Sequence, residues 1–488
     1  MNYKMVGFVL GRIFWIEAVL MLCPMACSAI YGEWNIVLAF LWPALGLTLL
    51  GVLLSHRQPR DTTIYARDGL VIVALVWVLM SVFGALPFMI SGEIPSFFDA
   101  FFEMVSGFTT TGSTILTDVE SMSKGLLFWR SFSHWIGGMG VLVFAMAILP
   151  MTDGRAMHLM RAEVPGPTVG KISSKLRDSA KILYEIYFVL TVVEVAILCA
   201  GGMPLYDALI HAFGTAGTGG FSNKALSVGA YNNPFFEIVI GVFMLLFGIN
   251  FNLYYFILLR HFRDAFRSEE LRVYLGIVAF STITIAINIA SLYDNVGTAL
   301  RTAFFQVVSI VTTTGYATAD FNLWPNYSRA VLVLLTFMGA CAGSTAGGLK
   351  VSRIIIFVKA AKQDLNKMLH SHAITSIRFE GKPLDEKTLR GVHNYFNIYM
   401  LLFSVSVLLV AIDGFDLITT FTAVATCFNN VGPGLELVGP MGSFAHFSDP
   451  VKLLLSFDML AGRLELYPIL ALFSPRLWRK RSTHIAPA

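Results

Sequence analysis

The chain has 488 residues, of which 56% are hydrophobic and 14% are charged. With a mean hydropathy of +0.69, it has too little polar sequence to cover a water-soluble globule of this size. These values exclude an ordinary soluble domain and predict a polytopic membrane protein. The net charge of +4 does not indicate nucleic-acid binding, because the Lys and Arg residues are divided among separate segments.

Ten apolar stretches are long enough to cross a bilayer, which requires about 20 residues each. They lie at residues 5–30, 36–54, 69–91, 127–150, 182–203, 235–259, 273–292, 330–358, 395–412 and 451–473. The first contains Arg12 and Glu17 and is longer than the apolar core of a secretory signal, so we expect a retained helix. The five cysteines lie in apolar segments without metal-type spacing, which favours buried side chains over ligands.

Positive charge is concentrated in alternate connections between these stretches. The connections at 56–67, 151–181, 260–272 and 359–390, together with the segment after Pro475, hold 24 of the 35 Lys and Arg residues. Cytoplasmic loops carry such an excess, so the pattern predicts that these segments and both termini lie in the cytoplasm. No connection is long enough to form a separate catalytic domain.

A shorter apolar piece of about a dozen residues lies between spans 3 and 4, 5 and 6, 7 and 8, and 9 and 10. The four pieces read FFDAFFEMVSGFTTTGST, YDALIHAFGTAGTGGFSN, GTALRTAFFQVVSIVTTTGYAT and FDLITTFTAVATCFNNVGPG, and they align on Gly112, Gly219, Gly315 and Gly432. A single turn of this kind would ordinarily be a helix C-cap. Four in register, each between two spans, instead predict four parallel helix–pore-loop–helix repeats after two N-terminal helices.

The four turns are expected to meet at one pseudo-fourfold pore, because backbone at membrane depth must be buried by protein or reached by water. Glycine permits the dihedrals that point carbonyl oxygens inward, and such oxygens can replace the hydration shell of a monovalent cation. Hydroxyl groups of Thr110, Thr218 and Thr313 are candidate additional ligands at the inner end. The sequence has no ring of carboxylates beside the glycines, which argues against a divalent cation.

The eighth span is unusually rich in small residues. Between Phe337 and Leu349 it holds four glycines, three alanines, Ser344 and Thr345. Such a segment is a poor helix, which predicts a flexible loop below the filter that blocks permeation. The alternative is a helix whose small residues allow close packing against a neighbour.

Arg463 lies in the tenth span between Asp458 and Glu465, and a charge inside a membrane is costly unless it is paired or functional. We expect Arg463 and Lys350 to place positive charge near the ion path and to steady the loop. The alternative is a salt bridge of Arg463 that only docks two helices.

Seven stretches resemble a known family, and the resemblance extends over essentially the whole chain. They read SGFTTTGST at 106–114, WRSFSHWIGGMGVLVFAMAILP at 129–150, MHLMRAEVPGPTVGKISSKLRD at 157–178, TAGTGGFS at 215–222, GACAGSTAGGLKVSRI at 339–354, FNNVGPG at 428–434 and GRLELYPIL at 462–470. On these stretches the chain resembles the TrkH-type translocating subunits of the Trk/Ktr/HKT potassium transporters. The two spans ahead of the first repeat fit TrkH-like members better than the shorter KtrB-like ones.

The resemblance implies an all-α membrane protein whose four repeats each look like one potassium-channel subunit. We assign residues 1–60 to the N-terminal extension and 61–160, 161–265, 266–375 and 376–488 to the four pore repeats. The implied function is potassium uptake across the cytoplasmic (inner) membrane. Proton- or sodium-coupled potassium symport, or transport of another small cation, are the alternatives.

The resemblance also implies which residues bind and gate the ion. The potassium filter would comprise Thr110, Thr111, Gly112, Gly217, Thr218, Gly219, Thr313, Thr314, Gly315, Asn430, Val431 and Gly432, and the gate would comprise Gly343, Ser344, Thr345, Gly347, Gly348, Lys350 and Arg463. Only the third turn keeps the aromatic residue that follows the glycine in potassium channels, and the fourth lacks threonine. We therefore expect weaker selection of potassium over sodium than in a channel.

Partners follow from the same resemblance. TrkH-like proteins are homodimers that bind a ring of cytosolic, nucleotide-binding TrkA-like regulatory subunits. The basic cytoplasmic segments offer a surface for such a partner, although the positive-inside rule alone would also produce them. The sequence has no dinucleotide-binding glycine motif after a strand, so we expect nucleotide sensing in the partner and no organic cofactor in this chain.

Two other classes of membrane protein fit the sequence less well. An enzyme would need clustered nucleophiles, paired carboxylates or a metal-ligand set, and the sequence shows no such cluster. A coupled transporter of an organic solute would show inverted repeats or two halves instead of four parallel half-helices.

Overall fold

The computed structural model describes residues 1–62, 64–140, 176–370 and 376–478 of the chain. Helices dominate these residues, and their one sheet is an antiparallel hairpin of strands Arg378–Phe379 and Lys382–Pro383. The prediction of an all-α membrane protein is therefore confirmed.

The N-terminal extension precedes the first repeat as helices Tyr3–Leu20, Leu22–Ile30 and Trp34–Ser55. The first two form one candidate span, Tyr3–Ile30, of 28 residues. Gly11 and Gly51 lie where this span crosses Trp34–Ser55, and a Cβ on either would come within 3.0 Å of the other's carbonyl oxygen. Glycine at both positions therefore permits close backbone packing between the two spans.

Each repeat contains a first helix, a half-helix and a second helix. The first helices of repeats 1 to 4 are Ala66–Ser91, Leu176–Ala200, Glu269–Ile289 and Glu386–Val410. Half-helices 1 to 4 are Phe97–Phe108, Leu205–Gly217, Val296–Val311 and Leu417–Asn429. The four predicted short pieces are therefore confirmed as helices that are too short to span.

The second helices differ from the prediction of continuous spans. Their described parts are Lys124–Gly138 in repeat 1, Pro234–Phe247 with Phe251–Leu258 in repeat 2, Asn326–Met338 with Val351–Leu369 in repeat 3, and Asp449–Arg463 with Tyr467–Leu472 in repeat 4. Residues 141–150, the end of the predicted fourth span, lie outside the described residues, as does most of the basic connection that follows. The sequence predicts a break only in repeat 3, whereas the second helices of repeats 2 and 4 are also broken.

These two additional breaks have local causes. In repeat 2 the two parts meet at 92°, and the Asn250 side chain caps the second part by accepting from the Asn252 N–H at 2.9 Å. In repeat 4, Glu465 and Leu466 have positive φ values of 53° and 68°, and Pro468 lies in the first turn of the next helix. Within the described residues, six segments are long and apolar enough to span, together with the bent pair of repeat 2.

The remaining elements are short. Helices Phe262–Arg267 and Pro475–Trp478 and the 3-10 turns Ser227–Tyr231, Ala290–Leu292, Phe321–Leu323, Ala411–Asp413, Glu436–Val438 and Phe444–His446 complete the described secondary structure. Large apolar side chains on the outer surface of the spans, such as Leu49, Ile287 and Leu408, are more than 60% exposed in the isolated chain. A bilayer is the environment that accommodates such a surface.

Three half-helices begin with a side-chain cap. Ser96, Asn295 and Asp416 each accept a hydrogen bond from an N–H in the first turn of half-helices 1, 3 and 4. The C-terminal half of every half-helix is buried. The four helix ends are therefore enclosed by protein, and their last carbonyl groups need partners within it.

Candidate cation pathway

Each half-helix ends in the same backbone turn. Thr110, Thr218, Thr313 and Asn430 follow the four half-helices with φ values of 55°, 57°, 59° and 56°. The N–H of each donates to the carbonyl three residues earlier, and the next N–H donates to the carbonyl five residues before itself. This is the bonding of a helix C-cap, but a β-branched residue in the left-handed region costs about 1–3 kcal/mol. Three threonines at this position therefore indicate a functional constraint beyond capping.

A glycine with positive φ lies two residues after each of these positions. The four are Gly112, Gly220, Gly315 and Gly432, with φ of 83°, 75°, 81° and 95°. In the second turn the equivalent residue is therefore Gly220, and Gly219 takes the place of Thr111, Thr314 and Val431. The alignment on Gly219 is wrong by one residue, and Gly217, the last residue of half-helix 2, lies before the turn.

The four glycines form a closed ring, which we call the filter ring. A Cβ on any of them would lie within 3.0 Å of a carbonyl oxygen in the next repeat. The partners are Gly219 for Gly112, Thr314 for Gly220, Val431 for Gly315 and Thr111 for Gly432. The contacts run from repeat 1 to 2, 2 to 3, 3 to 4 and 4 back to 1, so equivalent carbonyls from all four repeats meet at one place.

A cavity of about 130 Å³ adjoins the filter ring. All four ring glycines line it, together with residues that follow them, including Ser113, Phe221 and Pro433. These segments connect the half-helices to the second helices, on the side that the charge pattern assigns to the exterior. Two cationic residues, Arg130 and Lys224, also line this cavity.

The predicted side-chain ligands have different environments although their backbones match. Thr110 Oγ1 is buried without a hydrogen-bond partner. Thr218 Oγ1 donates to the Gly217 carbonyl at 2.6 Å, and Thr313 Oγ1 accepts from the Gly347 N–H at 2.7 Å. In the fourth turn, Asn430 Nδ2 donates to Thr111 Oγ1 at 2.9 Å and so joins the turns of repeats 4 and 1.

Residues 339–350, which we call the central loop, interrupt the second helix of repeat 3 without forming a helix. Gly339 and Gly348 approach each other at its base with φ of 68° and 72°. Next to Gly348, a Cβ on Gly347 would lie within 3.0 Å of both the Asn429 carbonyl oxygen and the Asn430 side chain. With the Thr313 contact, this places the loop directly against the turns of repeats 3 and 4.

The residues at the break in the second helix of repeat 2 form hydrogen bonds with the central loop. The Gly248 carbonyl accepts from the Cys341 N–H at 3.1 Å, and the Phe251 N–H donates to the Gly343 carbonyl at 3.0 Å. Thr345 Oγ1 donates to the Phe247 carbonyl at 3.3 Å. Backbone groups released by the 92° bend are thus satisfied by the loop, as buried backbone requires.

The loop is also fixed by Glu270, in the first turn of the first helix of repeat 3. Its carboxylate accepts from the Ala342 N–H at 2.7 Å and from the Ser352 N–H at 3.1 Å. The Ser344 hydroxyl donates to the Cys341 carbonyl at 2.6 Å and closes a local turn in the same stretch.

Arg463 joins three repeats. It ends the helix Asp449–Arg463 of repeat 4 and donates to the Thr345 carbonyl of the central loop at 2.8 Å. It also donates to the Gly137 and Gly138 carbonyls at 2.6 and 2.8 Å, at the C-terminal end of a helix in repeat 1. A cation is favourable at that end of a helix dipole.

Nearby charges make further contacts around the loop. The Lys350 ammonium donates to the Ala346 carbonyl within the loop. Arg353 pairs with Glu465 at 2.6 Å, and Ser406 donates to Asp458 at 2.8 Å. The two acidic residues next to Arg463 in the sequence therefore bind groups on the first helix of repeat 4 and the second helix of repeat 3.

Sequence reasoning does not single out Gly220, Glu270, Glu103 or Arg130 in this region. A carboxylate inside a short apolar half-helix is a signal that would have drawn attention to Glu103. No sequence pattern shows that Glu103 pairs with Arg130, because the two lie on different elements, 27 residues apart.

Comparisons with known proteins agree with this architecture. The chain matches the TrkH family, described as cation transport protein, over residues 43–293 and 275–481. It is 39% identical over 421 residues to the Trk system potassium uptake protein TrkH of Salmonella typhimurium, which covers 85% of this chain and 86% of that protein. It is 34% identical over 483 residues to the Trk system potassium uptake protein TrkG of Escherichia coli, and the match covers 98% of this chain and 99% of that protein.

A solved structure extends the likeness to three dimensions. The crystal structure of the potassium transporter TrkH from Vibrio parahaemolyticus superposes with a TM-score of 0.87 at 31% identity and covers 98% of this chain and 100% of that one. On the family match, the sequence identity and the shared fold, this chain belongs to the TrkH family of cation transport proteins.

Proposed function

We propose that the chain carries potassium into the cell across the cytoplasmic membrane through the filter ring. The observation that carries the proposal is the closed set of contacts between the four ring glycines and the carbonyls of neighbouring repeats. Carbonyl oxygens replace water around a dehydrated monovalent cation, and four buried half-helix ends add negative potential at the same point. The names of the relatives as potassium uptake proteins support the choice of ion.

The filter of this proposal takes three residues from each turn. They are Thr110, Thr111 and Gly112; Thr218, Gly219 and Gly220; Thr313, Thr314 and Gly315; and Asn430, Val431 and Gly432. Their side chains differ between repeats, so the cages around the ion are not equivalent. We expect weaker discrimination between potassium and sodium than four identical repeats would give.

The central loop is the gate of this proposal. Gly347 lies against Thr313 and Asn430 at the inner end of the filter, where it would obstruct an ion. Arg463 and Lys350 bind loop carbonyls and would hold it there. Opening would require the loop to leave these partners.

A cytosolic regulatory subunit and a homodimer complete the proposal, with both termini in the cytoplasm. The hairpin around Glu380 offers a route for such regulation. The Glu380 carboxylate accepts from Ser268 Oγ at 2.8 Å and from the Glu270 N–H at 3.0 Å, at the start of the first helix of repeat 3. Glu270 in turn holds Ala342 of the central loop, so two contacts connect the hairpin to the gate.

The filter assignment is tested by rubidium influx into proteoliposomes that contain the purified full chain, with potassium as competitor. Gly112→Ala places a Cβ against the Gly219 carbonyl and should lower influx at least about tenfold, or about 1.4 kcal/mol. Gly92→Ala is the matched control, because Gly92 has a similar φ of 79° but no atom within 4 Å of an added Cβ.

An equal loss of rubidium influx in Gly112→Ala and Gly92→Ala would mean that backbone strain, and not filter geometry, causes the defect. A folded wild-type chain that carries no rubidium, with or without a cytosolic regulatory subunit, would refute the pathway itself.

A further inference from the structure

The position nine residues before each ring glycine lies on the half-helix, behind the filter. Glu103, His211, Gln306 and Ala423 occupy it in repeats 1 to 4. In three repeats this side chain binds the residues that follow its own ring glycine, which we call the filter strand. The strength of this brace differs from repeat to repeat.

Repeat 1 has the strongest brace. The Glu103 carboxylate accepts from Thr114 Oγ1 at 2.9 Å and from the Ile115 N–H at 2.9 Å, and it pairs with Arg130. Glu103 is fully buried and Arg130 is 2% exposed. Hydrogen bonds that involve charged groups are stronger than neutral ones, so filter strand 1 is held firmly.

Arg130 extends this brace to the second repeat. Its Nη1 donates to the Ser222 carbonyl at 3.1 Å, and its guanidinium lies 3.5 Å from the centre of the Phe221 ring. Ser222 and Phe221 both follow Gly220. One buried ion pair therefore fixes the filter strands of repeats 1 and 2 relative to each other.

The side chain at this position makes weaker contacts in the other three repeats. His211 Nε2 contacts Ser222 Oγ at 3.1 Å, and Gln306 Nε2 donates to Thr318 Oγ1 at 3.4 Å. Ala423 has no polar side-chain atom, and strand 4 depends instead on contacts such as the Leu435 N–H to Thr422 Oγ1 at 3.1 Å. From repeat 1 to repeat 4, the group at this position is a charged carboxylate, an imidazole, an amide and a methyl group.

We propose that Glu103 and Arg130 are positioning residues that set the selection of potassium over sodium, by fixing the spacing of filter strands 1 and 2. The proposal rests on the proposed function. Sodium is smaller than potassium, so the oxygens around it must move closer together, and a braced strand resists that movement.

The charge of Glu103 and its bracing of the filter strand affect ion transport in separable ways. Arg130 lines the outer cavity, and Glu103 neutralises it. Loss of the carboxylate charge alone leaves an unpaired guanidinium beside the path, which repels potassium and sodium equally and lowers both fluxes. Loss of the brace changes the ratio of the two fluxes.

The experiment measures rubidium and sodium influx into proteoliposomes with the full chain. Glu103→Gln should lower the rubidium-to-sodium ratio at least about threefold, since one amide oxygen replaces two charged acceptors, and should reduce both fluxes. The double variant Glu103→Gln with Arg130→Gln should recover flux but not the ratio. Asp99→Asn is the control, because Asp99 lies on the same half-helix but pairs with Lys452, at 2.5 Å, outside the filter strands.

Arg130→Lys provides a second test that does not depend on the Glu103 variants folding. It keeps the charge but removes the fork that binds Glu103 and Ser222 together, so the ratio should fall with little loss of total flux. An unchanged ratio in folded Glu103→Gln or Arg130→Lys protein would overturn the proposal, as would an equal change in Asp99→Asn. Failure of the wild type to carry rubidium would instead count against the proposed function.

Discussion

The four filter turns and the central loop are neighbouring non-helical segments in the middle of the molecule, but they are held in different ways. Each turn is closed by two hydrogen bonds within its own backbone, and the first left-handed residue varies only from 55° to 59° in φ. The central loop of repeat 3 is bound instead by Glu270, Arg463 and the break at Gly248.

This difference indicates which segment can move. A turn closed by its own backbone keeps its shape when a neighbouring helix shifts. A loop bound by side chains from several repeats is released when one of those partners moves, which is how small shifts produce switching in packed proteins. We infer that the filter ring is the fixed element of the pathway and the central loop its movable element.

The largest expected effect comes from removing the loop. Deletion of residues 343–348 removes the contacts with Thr313, Phe247 and Arg463 together. Rubidium influx should rise about a hundredfold, which corresponds to about 2.8 kcal/mol, while the rubidium-to-sodium ratio stays constant. Influx assays on monodisperse protein check this, and a folded deletion variant that is no more permeable than wild type would show that the loop is not the gate.

Arg463→Gln should have the next largest effect. The substitution removes charge-assisted bonds to the loop and to the Gly137 and Gly138 carbonyls, each worth about 1.5–3 kcal/mol in buried settings. Influx should rise about tenfold without a change in ion selection. Arg463→Lys keeps the positive charge but loses the forked guanidinium, so its influx should lie between those of the wild type and Arg463→Gln. A changed ratio would place Arg463 with the filter instead of the loop.

Much of this architecture is predictable from the sequence because it rests on local patterns. Apolar stretches of spanning length, four short apolar pieces with glycine turns, and a glycine-rich interruption in the eighth span all depend on residues close together in the chain. The structure confirms the half-helices and the interruption on this basis.

The failures arise where contacts between distant residues decide the structure. The second turn offers Gly219 and Gly220 side by side, and only the backbone conformation and the contact with the Thr314 carbonyl show that Gly220 joins the ring. The bend at Gly248 is fixed by the central loop, nearly a hundred residues later in the chain. Gly248, Asn250 and Asn252 in an apolar span are not a signal strong enough to predict it.

The smallest expected effect comes from Thr313, where the filter turns touch the central loop. Thr313 and Thr110 are equivalent residues with φ of 59° and 55°, but Thr313 Oγ1 accepts from the Gly347 N–H of the loop and Thr110 Oγ1 has no hydrogen-bond partner. Thr313→Val removes one hydrogen bond, worth about 1 kcal/mol, so influx should rise about fivefold. Thr110→Val carries the same backbone strain and should leave the gate unaffected.

The concentration dependence of rubidium influx separates this effect from ion binding. If both hydroxyls serve as ion ligands, each substitution weakens apparent rubidium affinity, and the two variants behave alike. If Thr313 chiefly holds the loop, its variant raises maximal influx while Thr110→Val does not. Equal behaviour would therefore assign Thr313 to the fixed ring, and divergence would assign it to the contact through which the ring keeps the movable loop in place.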